Sequence, residues 1–150
     1  MSHAASSSSC MQIAEHLCRQ RGVRLTRQRR KVLAIINSSE QAMGAYDILH
    51  EMRAAQPRIA PPTVYRALEF LLSEGLIHKL ESLHAFVGCA HPDHPHLSQF
   101  LICNECGAVD ELHNDSVNHS LTEAARAKGF LPERRTVEVV GRCDRCQSGN

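Results

Sequence analysis

A chain of 150 residues has room for one or two small domains, and no apolar run in it approaches the ~18 residues of a membrane span. The net charge is only +1, which excludes a protein working through bulk charge, yet residues 1–82 carry +4 and residues 83–150 carry −3. A basic front half suits a polyanionic partner, while seven cysteines behind a polar, serine-rich start with no signal-peptide pattern predict a cytoplasmic protein using thiols for metal.

In chain order, residues 1–9 read as a disordered tail. Cys10 to Arg21 is predicted as a helix, with Met11, Ile13, Ala14, Leu17 and Cys18 apolar and Gly22 as its stop. Thr26 caps a second helix over Arg27–Ser38, with Val32, Leu33, Ile35 and Ile36 inward. A third spans about Ala45–Ala55 and turns Ile48, Leu49 and Met52 inward. Pro61 and Pro62 open a fourth, since proline costs little in a first helical turn. There Val64, Ala67, Leu68, Leu71 and Leu72 make one buried stripe, and Gly75 ends it.

Leu76–Leu80 and Ala85–Cys89 read as two strands joined near Ser82. Helices followed by a hairpin outline a winged helix, an outline shared by any small helical domain with a β appendage. Cys89 to His96 reads as a polar, proline-broken linker. Beyond it, Phe100–Ile102 and Ala108–Leu112 are predicted strands, Asp115–Lys128 a helix and Glu133–Val140 a last strand. The fold class is therefore α+β, with domains at 1–83 and 98–150 and a hinge at 84–97. So small a second unit has a thin core and calls for a metal staple and a partner chain.

Cys103-Asn-Glu-Cys106 and Cys143-Asp-Arg-Cys146 are C-x-x-C knuckles separated by 36 residues. Four such thiolates complete a tetrahedral zinc shell that couples metal loading to folding. Redox-active disulfides are the competing reading, but neither pair has the βαβ setting of a thioredoxin-like motif.

A crowd of further donors lies between the halves: His78, His84, Cys89, His91, His94, His96, Glu111 and His113. One ion held by His78, Cys89, His96 and Glu111 would tie the wing, the linker and the second domain together. A shell containing a cysteine favours zinc, whereas all-nitrogen-and-oxygen shells are freer to take iron or manganese.

These motifs together resemble the ferric uptake regulator superfamily of bacterial metalloregulators. The resemblance spans about residues 12–146 and rests on Leu25-Thr26-Arg27-Gln28-Arg29, on Pro62-Thr63-Val64-Tyr65-Arg66-Ala67-Leu68 and on the two knuckles. Ala45-Tyr46-Asp47 and Ile77-His78-Lys79-Leu80-Glu81-Ser82 look specifically like its zinc uptake regulator branch.

The resemblance implies a homodimer with a winged-helix DNA-binding domain and a small C-terminal α/β dimerisation domain. It implies a zinc-loaded repressor on an A/T-rich inverted repeat of zinc-uptake genes, with two zinc ions per subunit and no membrane or small-molecule substrate. Carried over by motif, Cys103, Cys106, Cys143 and Cys146 hold the structural zinc, and His78, Cys89, His96 and Glu111 fall on the regulatory positions. Tyr46 and Arg66 fall on DNA-contact positions, with Thr63 and Tyr65 beside them. Arg24, Arg27, Arg29, Arg30 and Lys31 are candidate phosphate anchors.

Departures from the family pattern are also present. Ser98-Gln99-Phe100-Leu101-Ile102 replaces the His-x-His run of iron-sensing members, and Arg134 or Arg135 replaces the histidine of the last strand. Both weigh against an iron- or peroxide-responsive regulator, and Cys89 weighs against an iron- or manganese-responsive one. The linker differs in length from some relatives, which leaves the choice among His91, His94 and His96 open. A zinc enzyme with Glu111 as base is a further class, but neither H-E-x-x-H nor the deaminase signature is present. Peroxide oxidation of the knuckle thiolates would make a redox switch instead.

Overall fold

The computed structural model describes residues 7–93, 97–133 and 135–149. The chain divides into two compact units, Met1–His94 and Pro95–Asn150. Together they form the expected α+β fold.

The first unit contains α1 (Ser7–Arg21), α2 (Arg27–Ser38), α3 (Ala45–Ala55) and α4 (Pro61–Ser73), then β1 (Ile77–Leu80) and β2 (Ala85–Gly88). Helix α1 starts three residues earlier than expected, so Ser7–Ser9 form its first turn, and the rest of the predicted tail lies outside the described residues. Helix α2 starts where its cap dictates: the Thr26 hydroxyl accepts a hydrogen bond from the Arg29 N–H at 3.4 Å. At α3 the Asp47 carboxylate reaches back to the Gly44 N–H at 3.2 Å, occupying a donor the helix itself cannot satisfy. Helix α4 opens with its two prolines and gives way to Gly75 at φ 69°, a left-handed turn that a side chain would resist.

The apolar stripes meet in one core. Val32, Leu33, Ile48, Val64, Leu68 and Leu71 are almost wholly removed from water, while Ile35 and Leu72 pack at its margin rather than inside it. Strands β1 and β2 are antiparallel, with Ile77 opposite Gly88 and His78 opposite Val87. Ile77 and Phe86 close the core beneath the helices. The Met43 N–H donates to the Phe86 carbonyl at 3.0 Å and the Phe86 N–H to the Met43 carbonyl at 2.8 Å. This bridge adds a third, one-residue strand to the wing.

The second unit contains β3 (Ser98–Cys103), β4 (Val109–Leu112), α5 (Asp115–Ala127), β5 (Thr136–Gly141) and α6 (Asp144–Gln147). Its sheet order is β4-β3-β5, with β3 antiparallel to β4 and parallel to β5. Asn114 caps α5, its side chain accepting from the N–H groups of Ser116 and Val117. Helix α5 buries none of its side chains fully, and Phe130, Leu131, Val139 and Val140 stand more than half exposed. Among the described residues no helix is long and apolar enough to cross a membrane.

Candidate metal centres and nucleic-acid surface

The parallel pairing of β3 with β5 places the two knuckles together. Cys103 ends β3 opposite Gly141 at the end of β5, so both strands leave the sheet at the same end. The first knuckle then turns through Gly107, whose N–H donates to the Cys103 carbonyl at 3.0 Å. The second starts at Cys143, the N-cap of α6, and its last cysteine lies inside that helix.

All four sulfurs lie within 4.8 Å of one another, and Sγ of Cys106 is 3.8 Å from Sγ of Cys143. A tetrahedron of sulfurs about 2.3 Å from its centre has edges of about 3.8 Å, so the donor set fits zinc. Every cysteine is a free thiol in this structure.

Electrostatics support a cation here. Backbone N–H groups of Cys106, Cys143 and Glu105 favour the Cys103 thiolate and bring its pKa down from 9.0 to about 6. The Cys143 N–H stands 3.4 Å from that sulfur. Cys146 is pushed far upward, first by its hydrogen bond to the Cys143 sulfur and then by burial. Packed sulfurs cannot all ionise together without a positive charge between them.

In the first unit, His78 on β1 and Cys89 just after β2 bring their ligand atoms within 4.8 Å of each other. Both belong to the same side of the hairpin, because side chains alternate along a strand and His78 pairs with Val87. Glu111 is half-buried on β4 of the second unit, opposite Phe100. His94, His96 and Arg134 lie outside the described residues. Among the described residues His84, His91 and His113 join no group able to share an ion. Cys18 is a core thiol whose pKa is raised by burial and by Glu74, which keeps it protonated and inert.

The named DNA-contact candidates cluster on α3 and α4. Tyr46 is 81% exposed in the first turn of α3, and Tyr65 and Arg66 are exposed on α4. Tyr46 and Tyr65 flank a shallow apolar cleft floored by Leu49 and Val64. Thr63 is half-buried, and its N–H donates to the Ala60 carbonyl at 3.1 Å.

Two members of the basic cluster also have partners within the fold. Arg29 lies over the Phe70 ring, 3.7 Å from its centroid, and donates to the Arg24 carbonyl, while Arg30 pairs with Glu15. These two arginines hold α2 to its neighbours, while Arg24 and Arg27 are exposed and Lys31 is half-buried. Sequence reasoning also missed α6 and the Met43–Phe86 bridge. A four-residue helix is too short to show periodicity, and a bridge across 43 positions leaves no local pattern.

Comparison with known proteins agrees with this arrangement. A model of the ferric uptake regulator family matches residues 20–140. The chain is similar to the zinc uptake regulation protein of Escherichia coli strain K12, with 43% identity over 134 residues, covering 89% of this chain and 78% of that one. It also superposes with a TM-score of 0.91 on a solved zinc uptake regulator complexed with zinc and DNA, at 40% identity over 97% of each chain. A second solved structure, holo XcZur, gives a TM-score of 0.87 at 42% identity, covering 95% of this chain and 99% of that one.

Proposed function

The chain belongs to the ferric uptake regulator family, whose members are transcription regulators and not enzymes, and on that premise we propose that it is a zinc-responsive DNA-binding repressor. The observation that carries the reading is the pair of distinct ligand sets. One is all sulfur and lies inside the second unit; the other joins the Cys89 thiol to the His78 imidazole. The similarity to a regulator solved with zinc and DNA supports it.

Cys103, Cys106, Cys143 and Cys146 hold the structural zinc. His78, Cys89, His96 and Glu111 hold the regulatory one, and the cysteine in that shell weighs against iron and manganese. Bound by these residues, zinc would supply the free energy that selects one conformation of the chain over another. Moving such an equilibrium from 1:99 to 99:1 requires about 10⁴-fold preferential binding, about 5.5 kcal/mol, within reach of four strong ligands.

The first unit is the DNA-binding domain. Helix α4 enters the major groove of an A/T-rich inverted repeat, where Arg66 donates to guanine and Tyr46 and Tyr65 meet thymine methyls. Thr63 lies at the start of the same helix. Arg24, Arg27 and Lys31 contact phosphate. The second unit is the dimerisation domain: β5 is an open sheet edge that exposes Val139 on one face and Val140 on the other, and a second copy covers that edge. The target is a set of zinc-uptake genes read in the cytoplasm.

The decisive experiment measures binding to an A/T-rich palindromic duplex across a buffered free-zinc series, for wild type and Cys89→Ser. Affinity rising with zinc only in the wild type, while the mutant keeps its four-cysteine zinc, supports the reading. Equal binding by both at every zinc level refutes a regulatory role for Cys89.

A further inference from the structure

Gly88 ends a strand in which a glycine has no conformational use, since it lacks a positive φ. Glycine weakens a strand and commonly marks a close approach of another group. Here the neighbour is Asn37, near the end of α2. A Cβ built on Gly88 would stand 2.2 Å from Oδ1 and 3.3 Å from Cγ of Asn37.

The hairpin has two faces. Phe86 and Ile77 pack into the helical core, and Gly88 is the cross-strand partner of Ile77, so Gly88 shares the helix-facing side. His78 lies on the opposite side, and Cys89 follows there by alternation. The Cys89 N–H donates to the Leu76 carbonyl at 3.1 Å, carrying the ladder one step beyond β2. The Met43 bridge pins the same strand at Phe86, two residues before Gly88. The thickness of the Asn37–Gly88 contact therefore sets how far the ligand-bearing end of this strand stands from α2. Helix α2 packs in turn on α4, which bears Arg66.

The geometry points to Asn37 as a positioning residue for the metal site at His78 and Cys89, its carboxamide resting on the bare backbone of Gly88 and fixing where the Cys89 thiol is delivered. This rests on the reading that His78 and Cys89 hold the regulatory zinc.

The test titrates full-length chain with zinc against a chromophoric chelator, resolving the four-cysteine zinc from the second ion, with thermal unfolding in parallel. Gly88→Ala is expected to weaken the second zinc by about tenfold or more and to leave the four-cysteine zinc in place. Asn37→Gln lengthens the spacer by one methylene without touching β2, and is expected to weaken the same ion. Adding Asn37→Ala to Gly88→Ala makes room for the new methyl and recovers most of the loss.

The proposal is overturned if Gly88→Ala costs the same zinc affinity with or without Asn37. It is equally overturned if Gly88→Ala and Asn37→Gln lower the melting temperature while the second zinc binds as in wild type. Cys89→Ser separates the two levels. If it abolishes the second zinc while the Asn37 and Gly88 variants do not weaken it, positioning alone fails. If it leaves that zinc unchanged, the metal-site reading fails and takes this inference with it.

Discussion

Cys18, Cys89 and Cys103 are all buried thiols, and their neighbours give them different chemistry. Cys18 is set in the core with the Glu74 carboxylate acting on it, Cys89 has an imidazole within 4.8 Å, and Cys103 has three backbone donors. Because the folded pKa of Cys103 lies near 6 and its ordinary value is 9.0, its contribution to folding is complete above the ordinary value. That contribution is lost as pH falls through about 6. The second unit should thus lose stability on acidification across that window, read as a falling urea midpoint. A midpoint that rises would contradict the assignment. On the proposed DNA face, Arg66→Ala should cost about 1–3 kcal/mol on operators that carry a guanine within its reach and little on others. Competition binding with single-base operator variants measures this, and a uniform loss on all sequences would exclude base readout. Arg29→Ala should instead lower the melting temperature, since that guanidinium is engaged by Phe70 and the Arg24 carbonyl.

Helices and strands differed in how visible their ends were. Helix α2 began and ended as its sequence indicates because Thr26 supplies a cap inside the same short segment. Thr26→Ala is expected to destabilise the first unit by about 1 kcal/mol, measured by denaturant unfolding. Removing a core side chain from the same helix, as in Leu33→Ala, should cost about 2–5 kcal/mol by the same assay, since Leu33 is 1% exposed. Strand β5 was less legible. Its pattern suggested a start at Glu133, yet the ladder begins at Thr136, because that is where Ser98 of β3 begins to pair with it. A strand's end is decided by its partner, which lies 38 positions away in the chain.

At the scale of the molecule, the two small units differ: the first closes a core of its own, and the second leaves apolar side chains uncovered. The second unit leaves α5 without a fully buried side chain and presents Val139 and Val140 on its edge strand. Replacing both valines by lysine should convert the proposed dimer to monomer, read by light scattering, with the first unit still folded. Removing the zinc proposed for the four-cysteine cluster with a strong chelator should unfold the second unit and leave the helical first unit, whose core is complete without metal. Circular dichroism would then retain most of the helical signal, and a full collapse would show that the first unit depends on the second.

What the sequence by itself determined is local chemistry: four helices from their apolar spacing and caps, two knuckles from their C-x-x-C spacing, and Cys89 as a donor that favours zinc. Each of these is written within a few consecutive residues, where propensity and side-chain chemistry act directly. Only the tertiary structure decided which distant pieces meet. Parallel pairing of β3 and β5 brought the four sulfurs to tetrahedral spacing, packing committed Arg29 and Arg30 to neighbours within the fold, and the approach of Asn37 explained a glycine in a strand. Those contacts join residues far apart in the chain, and packing selects them among many pairings that local pattern alone would allow.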